Sequence, residues 1–254
     1  MGIRNRYRRM VEALGDGDSQ GEVIGASDLA ALPEAARRFF GHSLPEGARR
    51  TGSARLRLRG EMRPRPGARP FALEADEVLV PGVGFAWLAT TRIGPFSMHV
   101  LDGYHAGEGF MAGRLFGAIP LMNAAGDDVT RSSRGRLAGE SIFVPPALLP
   151  RPGLRWEGVD PQRARLHQTI DGEDLEVEIL VDDAGALTEM TMLRHGDAGR
   201  DDWGPTPYGF RIESEETFEG VSVPTLVRGG WWYGTDRYDP DQASVFEVLD
   251  ARFR

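Results

Sequence analysis

Hydrophobic and polar residues alternate along most of this 254-residue chain. In SARLRLRGEMR, residues 53–63, alternate positions from Ala54 to Met62 are apolar or glycine, whereas the positions between them are charged. A period of two residues predicts a strand with one buried face and one solvated face. Comparable patterns predict further strands at about 71–80, 85–92, 96–105, 110–117, 154–159, 164–170, 175–181, 186–195, 208–218, 223–233 and 244–253.

Turn sequences join many of these strands into hairpins. The Asp-Gly pair in DGED and the Ala-Gly pair in DDAG supply the positive φ angles that tight turns need. About a dozen short strands joined in this way predict a large antiparallel sheet, which has to curl to manage its edges. Strands do not alternate with helices, so a Rossmann fold and a (β/α)₈ barrel are excluded.

The first 27 residues are predicted to form an amphipathic helix and a linker, and residues 28–254 a single domain. Residues 3–14 place apolar side chains on one helical stripe beside several arginines. This pattern favours a short helix docked on its own domain, and the alternative is a weak contact with an anionic membrane surface. In the linker, Asp16, Asp18 and Gln20 resemble part of a calcium loop. Ser27 stands where that loop needs a carboxylate, so a solvated linker is the better interpretation.

Two further helices interrupt the β pattern. Residues 27–41 predict a helix with Gly41 beyond its end, and Pro33 indicates that its regular part begins only there. Residues 121–143 predict a mid-chain helix that Asp127 or Asp128 caps and that the following prolines end. The predicted fold is therefore mainly β (α+β): a large curved antiparallel sheet forming an incomplete barrel, with N-terminal helices and the mid-chain helix covering its mouth.

Composition narrows the classes of function. The net charge is −8, which argues against a nucleic-acid partner because phosphate binding needs a concentrated positive surface. All 30 basic residues are arginine, so lysine Schiff-base chemistry and a Walker A lysine are excluded. The chain has no cysteine, which excludes disulfides and thiolate chemistry. We predict no cofactor, and the absence of an apolar run after the basic N-terminus favours a cytoplasmic protein.

The segment AGESIFVPPALLP, residues 138–150, comes close to the G-x-S-x-G motif of serine hydrolases. That motif needs glycine on both sides of the serine because its strand-to-helix turn is crowded. Phe143 occupies the second glycine position, and Ser141 falls near the end of a predicted helix. The sequence therefore argues against a nucleophilic Ser141 and predicts that this stretch closes the sheet as a lid.

Polar residues in two segments are candidates for acid–base chemistry. Arg136 and Glu140 are four apart on the mid-chain helix and can pair, either at the surface or inside the concavity. On the predicted strand 96–105, Asp102 and Tyr104 share one face and form an acid–base pair or a polar part of the barrel interior.

Histidines and aromatic residues give two further hypotheses. His99 and His105 share the opposite face of the same strand, but a third ligand is not evident, so we predict no metal site. Trp87 and Trp156 lie in predicted strands, and on the inner face of a curled sheet such residues form core or line an apolar cavity.

Several motifs together resemble an uncharacterised bacterial family of unknown function: GFAW at 84–87, DGYHAGEGFM at 102–111, LAGESIFVPPALLP at 137–150 and GVSVPT at 220–225. That family resembles the LolA/LolB lipoprotein carriers in fold. The resemblance covers about residues 28–235, and it implies a curved antiparallel sheet with an apolar pocket and helices at its mouth. It implies no catalytic residue.

Two functions are therefore open. The first is the binding of a hydrophobic or lipid-like small molecule in the concavity of the sheet, with ligand-binding residues Trp87, Asp102, Tyr104, Arg136, Glu140, Phe143 and Trp156. The second is an enzyme that uses Asp102, Tyr104 and Glu140, together with Arg136 or His105, as acid–base groups in the same cavity. The second hypothesis requires these side chains to converge in one cleft.

Overall fold

The fold is built from thirteen strands and four α-helices in the part of the chain that a computed structural model describes, residues 2–17, 21–63 and 67–254. The helices are α1 Ile3–Leu14, α2 Ala26–Ala30, α3 Glu34–Ser43 and α4 Asp127–Glu140. The strands are β1 Ala54–Met62, β2 Phe71–Val80, β3 Gly84–Ile93, β4 Phe96–His105, β5 Glu108–Leu115, β6 Ile119–Ala125, β7 Leu154–Gly158, β8 Arg163–Ile170, β9 Glu173–Val181, β10 Leu187–Gly196, β11 Gly204–Phe218, β12 Val221–Trp231 and β13 Ser244–Phe253.

All these strands form one antiparallel sheet in the order β6-β5-β4-β3-β2-β1-β13-β12-β11-β10-β9-β8-β7. We call β2 to β6 the first arm and β7 to β11 the second arm. Helix α4 contacts β3, β4, β5 and β6 of the first arm as well as β9 and β10 of the second, so the sheet curls around it. Within the described residues, β6 and β7 keep a free edge, and the barrel is incomplete. The predicted fold class is confirmed.

The predicted mid-chain helix is wrong in its N-terminal bound. Residues 119–125 belong to β6, and α4 begins only at Asp127, so the helix predicted over 121–143 is too long at its N-terminal end. Strand β6 lies at the free edge and is exposed along most of its length. It has no buried face and therefore shows no period of two. The cap is Gly126 rather than Asp127 or Asp128.

Helix α4 lies directly on the first arm. A Cβ atom added to Gly109 of β5 would come within 2.7 Å of the Cα atom of Thr130 on α4, so glycine is what permits this close approach. The helix ends in two short 3₁₀ turns, Ser141–Phe143 and Pro145–Ala147. Side chains of this region fill the inner face of the sheet, and Leu137, Ile142 and Leu148 are fully buried there.

Helix α1 packs on the outer face of the sheet, against β3 and β4. Its buried residues Ile3, Met10 and Leu14 are the apolar stripe that the sequence predicts. Its stripe therefore faces the sheet, and Arg8 and Arg9 are exposed. Arg6 lies over the ring of Phe110 on β5 at 3.6 Å. No helix in the described part of the chain is long and apolar enough to cross a membrane.

The helix predicted over 27–41 is two helices. Helix α2 ends at Ala30, and α3 starts after Pro33 and continues through Gly41 to Ser43. The predicted helix end at Gly41 is wrong because Phe39 and Phe40 anchor the whole of α3 in the core. Their rings pack on Trp156 of β7 at 6.2 and 5.7 Å. Thus α3 covers the end of the second arm.

Candidate functional site

A buried arginine on α4 gathers three carboxylates from three elements. Arg136 donates from Nε to both carboxylate oxygens of Glu140 at 2.9 Å, one turn further along α4. Its Nη1 donates to Oδ2 of Asp102 on β4 at 2.7 Å, and its Nη2 donates to Oε1 of Glu77 on β2 at 3.2 Å. We call these four residues the Arg136 cluster. It contains three of the predicted candidates, and the structure brings them together.

The alternation of the first arm directs these carboxylates toward α4. On β4, Asp102 and Tyr104 share the inner face, as a period of two requires. On β2, Glu77 lies between the buried residues Ala75 and Leu79 in the inner row. Sequence reasoning missed Glu77. An acid inside an otherwise apolar row was the available signal, because such a residue is rarely buried without a partner.

Two aromatic rings of β3 form one wall of the Arg136 cluster. The guanidinium carbon of Arg136 lies 4.7 Å from the ring centre of Phe85 and 5.0 Å from that of Trp87. A cation over an aromatic face is attracted by the negative side of the ring, and the attraction strengthens when water is excluded. Trp87 therefore contributes to the cluster as a cation–π partner of Arg136.

Three carboxylates around one cation cannot all remain ionised at low cost. Burial, and next the charge of Glu140, raise the pKa of Glu77 well above its ordinary value. The protonated Glu77 hydrogen-bonds to Glu140. Burial alone would lower the pKa of Arg136, but Glu140, Glu77 and Asp102 together raise it well above its usual range. The cluster thus places three acidic side chains around one permanent cation, and Glu77 is the one whose pKa burial raises.

One oxygen of the Arg136 cluster is available for a further hydrogen bond. Oδ1 of Asp102 is buried and has no hydrogen-bond partner among the described residues. A buried carboxylate oxygen is costly unless a donor satisfies it. The cluster therefore has a specific place for an additional donor.

Tyr104 belongs to a second network, centred on Arg134, which is two residues before Arg136 on α4. Its hydroxyl donates to Asp171 in the turn between β8 and β9, and it accepts from Nε of Arg134 at 2.9 Å. Arg134 also binds Glu173. Burial raises the pKa of Tyr104. This network joins the two arms across α4, and it separates Tyr104 from the acid–base partner, Asp102, that the enzyme hypothesis assigns to it.

Phe143 and Trp156 have other contacts. Phe143 is buried in the 3₁₀ turn that follows α4 and is part of the main core. Trp156 is half-buried against α3, and its Nε1 donates to the carbonyl oxygen of Leu148 at 2.9 Å. Of the seven predicted ligand-binding residues, Trp87, Asp102, Arg136 and Glu140 form one site. Tyr104 lies in the neighbouring network.

A groove of about 480 Å³ opens at the end of the first arm that carries the β2–β3 turn. The β3–β4 turn lies at the opposite end of the arm. Its walls are residue 22 and residues 50–52, 80–83, 146–147, 150–154 and 168–170, and four of the lining residues are prolines. We call it the proline groove. Ala147, Leu154 and Ile170 give it buried apolar surface. None of the seven predicted ligand-binding residues lines it, and no single sequence motif marked the whole of it, because its walls come from six separate segments.

Two buried polar atoms in the walls of the proline groove have no hydrogen-bond partner among the described residues: Oε1 of Gln168 and Oγ1 of Thr51. The amide nitrogen of Gln168 is already used, because it donates to the carbonyl oxygen of Ala138 on α4 at 3.0 Å. The groove therefore combines apolar contacts with three charged residues, Glu22, Arg50 and Arg151, and with a fixed acceptor and a hydroxyl group. A mixture of apolar surface and a few polar groups is usual in a small-molecule site.

Three other candidates have structural roles or lie outside the described residues. The hydroxyl of Ser141 is fully buried and donates to the carbonyl oxygen of Leu137 at 2.7 Å, one helical turn back. Nε2 of His99 accepts a hydrogen bond from Nη2 of Arg4 at 3.1 Å. No cluster of three or more metal-binding side chains is present in the described ranges. The partial calcium pattern includes Asp18 and Gln20, which lie outside the described residues.

The fold and the Arg136 cluster define an open antiparallel half-barrel that carries a buried ion cluster behind an inserted helix. Residues 22–239 match the model of a family of unknown function, DUF6544, and the chain belongs to that family. The family resemblance that the sequence motifs predict is confirmed. No curated protein matches the chain.

Two solved structures are similar to this chain. A DUF1329 family protein from Desulfovibrio piger has 12% identity and a TM-score of 0.38, with 89% of this chain and 92% of that chain covered. A LolA superfamily protein from Nitrosomonas europaea has 11% identity and a TM-score of 0.39, with 91% of this chain and 94% of that chain covered.

Proposed function

We propose that this protein binds a hydrophobic or lipid-like small molecule, and that the proline groove is its binding site. The observation that carries this proposal is the groove itself, whose volume of about 480 Å³ lies within the range of roughly 300–1,000 Å³ that is typical of small-molecule sites. The inner face of the sheet is filled by side chains of α4 and the following turns. For this reason the proposed site is the groove rather than the space behind α4.

The lining of the groove supports a ligand with an apolar body and one hydrogen-bond donor. Ala147, Leu154 and Ile170 provide apolar contact, and Gln168 Oε1 is an acceptor without a partner among the described residues. Proline has a fixed φ angle, so the four prolines of the walls hold the groove open at a small entropic cost on binding. A fatty alcohol, or a fatty acid whose carboxyl group is protonated, has the required chemistry.

The test is a titration of the full-length protein with the fluorescent probe N-phenyl-1-naphthylamine, followed by displacement with oleic acid. We expect saturable binding of one probe per chain. Val83→Trp places a large ring at the rim of the groove and should weaken binding at least tenfold. Val159→Trp is the matched control, because Val83 and Val159 are 41% and 43% exposed and Val159 does not line the groove. Equal binding by both variants would disprove this location, and non-saturable binding would disprove the function.

An enzyme that uses the Arg136 cluster is the second candidate. The observation that favours it is the convergence of Asp102 and Glu140 on one guanidinium, beside Glu77, whose pKa is raised by burial and by the charge of Glu140. A protonated and an ionised carboxyl side by side can act as acid and base. Turnover of a chromogenic ester or glycoside that Asp102→Asn abolishes, while probe binding is retained, would support this candidate over a binding protein.

A further inference from the structure

Five large hydrophobic side chains are exposed at one end of the first arm. Phe96 starts β4, Phe116 lies in the β5–β6 turn, and Ile119, Leu121 and Met122 belong to β6. Their side chains are between 41% and 55% exposed, and they are half of the ten large hydrophobic residues that are exposed in the described part of the chain. We call these five residues the apolar tip.

The two phenylalanines of the apolar tip form one continuous surface. The rings of Phe96 and Phe116 pack edge to face with centres 5.6 Å apart. The backbone nitrogen of Phe116 donates to the carbonyl oxygen of Ser97 at 2.8 Å, which fixes the two turns side by side. Leu115 and Ile119 pair across the β5–β6 hairpin. Exposed hydrophobic residues scattered singly need no explanation, but a contiguous group indicates an interaction surface.

The backbone of the tip is strained in a way that keeps Phe116 exposed. Phe116 has a φ of 53°, and Gly117 after it has a φ of 72°. A hairpin turn with two positive φ angles favours Asn-Gly or Gly-Gly, because a bulky side chain is crowded in the left-handed region. The strain costs on the order of 1 kcal/mol. A bulky exposed side chain at a strained position is the kind of outlier that points to function.

Arginines without ion-pair partners surround the apolar tip. Arg92 pairs with Ser97 across the β3–β4 hairpin, and Arg114 donates to the carbonyl oxygen of Ala118 at 3.2 Å. Helix α1 brings Arg4 to the same end, since the backbone nitrogen of Ile3 donates to the carbonyl oxygen of Gly117 at 3.4 Å. Among the described residues, none of these three arginines forms an ion pair with a carboxylate. Each is free to meet an external anion.

Acidic residues are correspondingly rare in this part of the chain. Between Glu77 and Asp127 the sequence contains two acidic residues, Asp102 and Glu108, although the whole chain has 38. Asp102 is buried in the Arg136 cluster, and Glu108 begins β5 at the end opposite to the tip. The tip is therefore locally positive in a chain whose net charge is −8.

We propose that the apolar tip docks this protein on the surface of an anionic lipid bilayer. Aromatic and aliphatic side chains enter the headgroup region, while neighbouring arginines bind lipid phosphates. Each basic residue near an anionic membrane contributes about 1 kcal/mol. In this arrangement α1 supplies arginine to the membrane contact, and its apolar stripe stays on the sheet.

A second copy of the chain fits the tip less well than a bilayer does. Pro120 lies within the edge strand β6, and proline removes a hydrogen-bond donor from any ladder that a partner strand would form. Pairing two tips would also bring their arginines together, and like charges repel. The proposal is independent of the proline groove, which lies at the other end of the ten-residue strand β3, roughly 30 Å away.

The experiment is vesicle co-sedimentation of the full-length protein. The vesicles contain either phosphatidylcholine alone or phosphatidylcholine with 30% phosphatidylglycerol as probe compositions. We expect binding to the anionic vesicles that is at least tenfold stronger than to neutral ones and that weakens as salt is raised. The double variant Phe96→Ser with Phe116→Ser should lose binding at least tenfold. Leu193→Ser with Trp203→Ser is the matched control, since these residues are also exposed but lie away from the tip.

A second pair of variants tests the charge separately. Arg92→Gln with Arg114→Gln should weaken binding to anionic vesicles, whereas Arg37→Gln with Arg57→Gln, which changes the net charge equally, should not. Equal binding by the phenylalanine variant and its control would overturn the proposal, as would an absence of binding to anionic vesicles. A concentration-dependent dimer in light scattering that the phenylalanine variant abolishes would assign the tip to a second copy instead. Probe binding in the proline groove should be the same in all four variants.

Discussion

The Arg136 cluster and the apolar tip belong to the same arm of the sheet and reverse the usual placement of polar and apolar groups. Inside the arm, Glu77, Asp102 and Arg136 are largely buried. At its end, Phe96 and Phe116 are about half exposed. Burying charged groups and exposing aromatic rings each cost free energy relative to exposing the charges and burying the rings. The contrast separates the part of the arm that contacts α4 from the end at which we propose contact with a membrane.

We expect the largest loss of unfolding free energy from breaking the Arg136 cluster. Arg136→Met leaves Asp102 and Glu140 without their cation, and removing one partner of a buried ion pair typically costs about 3–5 kcal/mol. Urea denaturation at pH 7 measures the loss of unfolding free energy. The surface pair Arg59–Glu247 supplies the control, and Arg59→Met should change little because solvent screens exposed pairs. A loss for Arg136→Met no larger than that of Arg59→Met would show that the cluster does not hold α4. If Arg136→Met fails to fold, Arg136→Lys should give an intermediate loss.

The next largest effect is expected in the pH dependence of the unfolding free energy. Burial and the charge of Glu140 raise the pKa of Glu77 well above its ordinary value, so the folded protein binds a proton that the unfolded chain has released. Stability from this group is full below the unfolded pKa and is lost as the pH rises through the folded pKa.

The wild-type unfolding free energy should therefore fall as the pH rises above the ordinary glutamate pKa of about 4.3, and Glu77→Gln, which mimics the protonated form, should flatten that fall. Glu74→Gln lies on the same strand but is exposed and should leave the pH dependence unchanged. Parallel pH profiles for the wild type and Glu77→Gln would contradict a protonated Glu77.

A smaller effect is expected at the tip. Phe116→Asn puts a residue that tolerates the left-handed region at a φ of 53°, so it should stabilise the fold by about 1 kcal/mol. The same substitution should weaken binding to anionic vesicles. Phe96→Asn should weaken vesicle binding without stabilising the fold, since Phe96 does not have a positive φ. A destabilised Phe116→Asn would mean that the exposed ring supports the fold rather than a partner.

The smallest effect is expected from Ser141→Ala. The hydroxyl of Ser141 donates to Leu137 inside the helix end, and losing such a bond costs about 1 kcal/mol or less. The midpoint temperature of thermal unfolding should fall slightly, and the rate of p-nitrophenyl acetate hydrolysis should equal that of the wild type. A loss of hydrolysis in this variant would restore Ser141 as a nucleophile.

Sequence patterns predicted the strands well where one face is buried. In β1, apolar and charged residues alternate strictly, and the structure places the strand at Ala54–Met62. Strand β6 was missed because an exposed edge strand has no buried face and its segment IPLMNAA has no period. The sequence did not indicate that the two phenylalanines of the tip are exposed, because an aromatic residue in a predicted β region is more often part of the core.

The candidate site was predictable only in part. Asp102 stood out because it is polar within an apolar pattern, and Glu140 because it is four residues from Arg136 on a predicted helix, but Glu77 on β2 was not recognised. Which strand of the first arm faces α4 depends on how the sheet curls. That curvature is set by contacts between residues far apart in the chain, such as the bond from Tyr104 to Asp171 in the β8–β9 turn. The proline groove could not be predicted for the same reason, since its walls come from segments distant in sequence.

Native mass spectrometry of the purified protein tests the central claim, ligand binding, most directly. We predict a mass above that of the chain by one small hydrophobic molecule, which chloroform–methanol extraction removes and identifies. Val83→Trp should be isolated without this molecule, and Val159→Trp should retain it. Wild-type protein with the mass of the bare chain, together with an empty extract and no uptake of added oleic acid, would contradict the account.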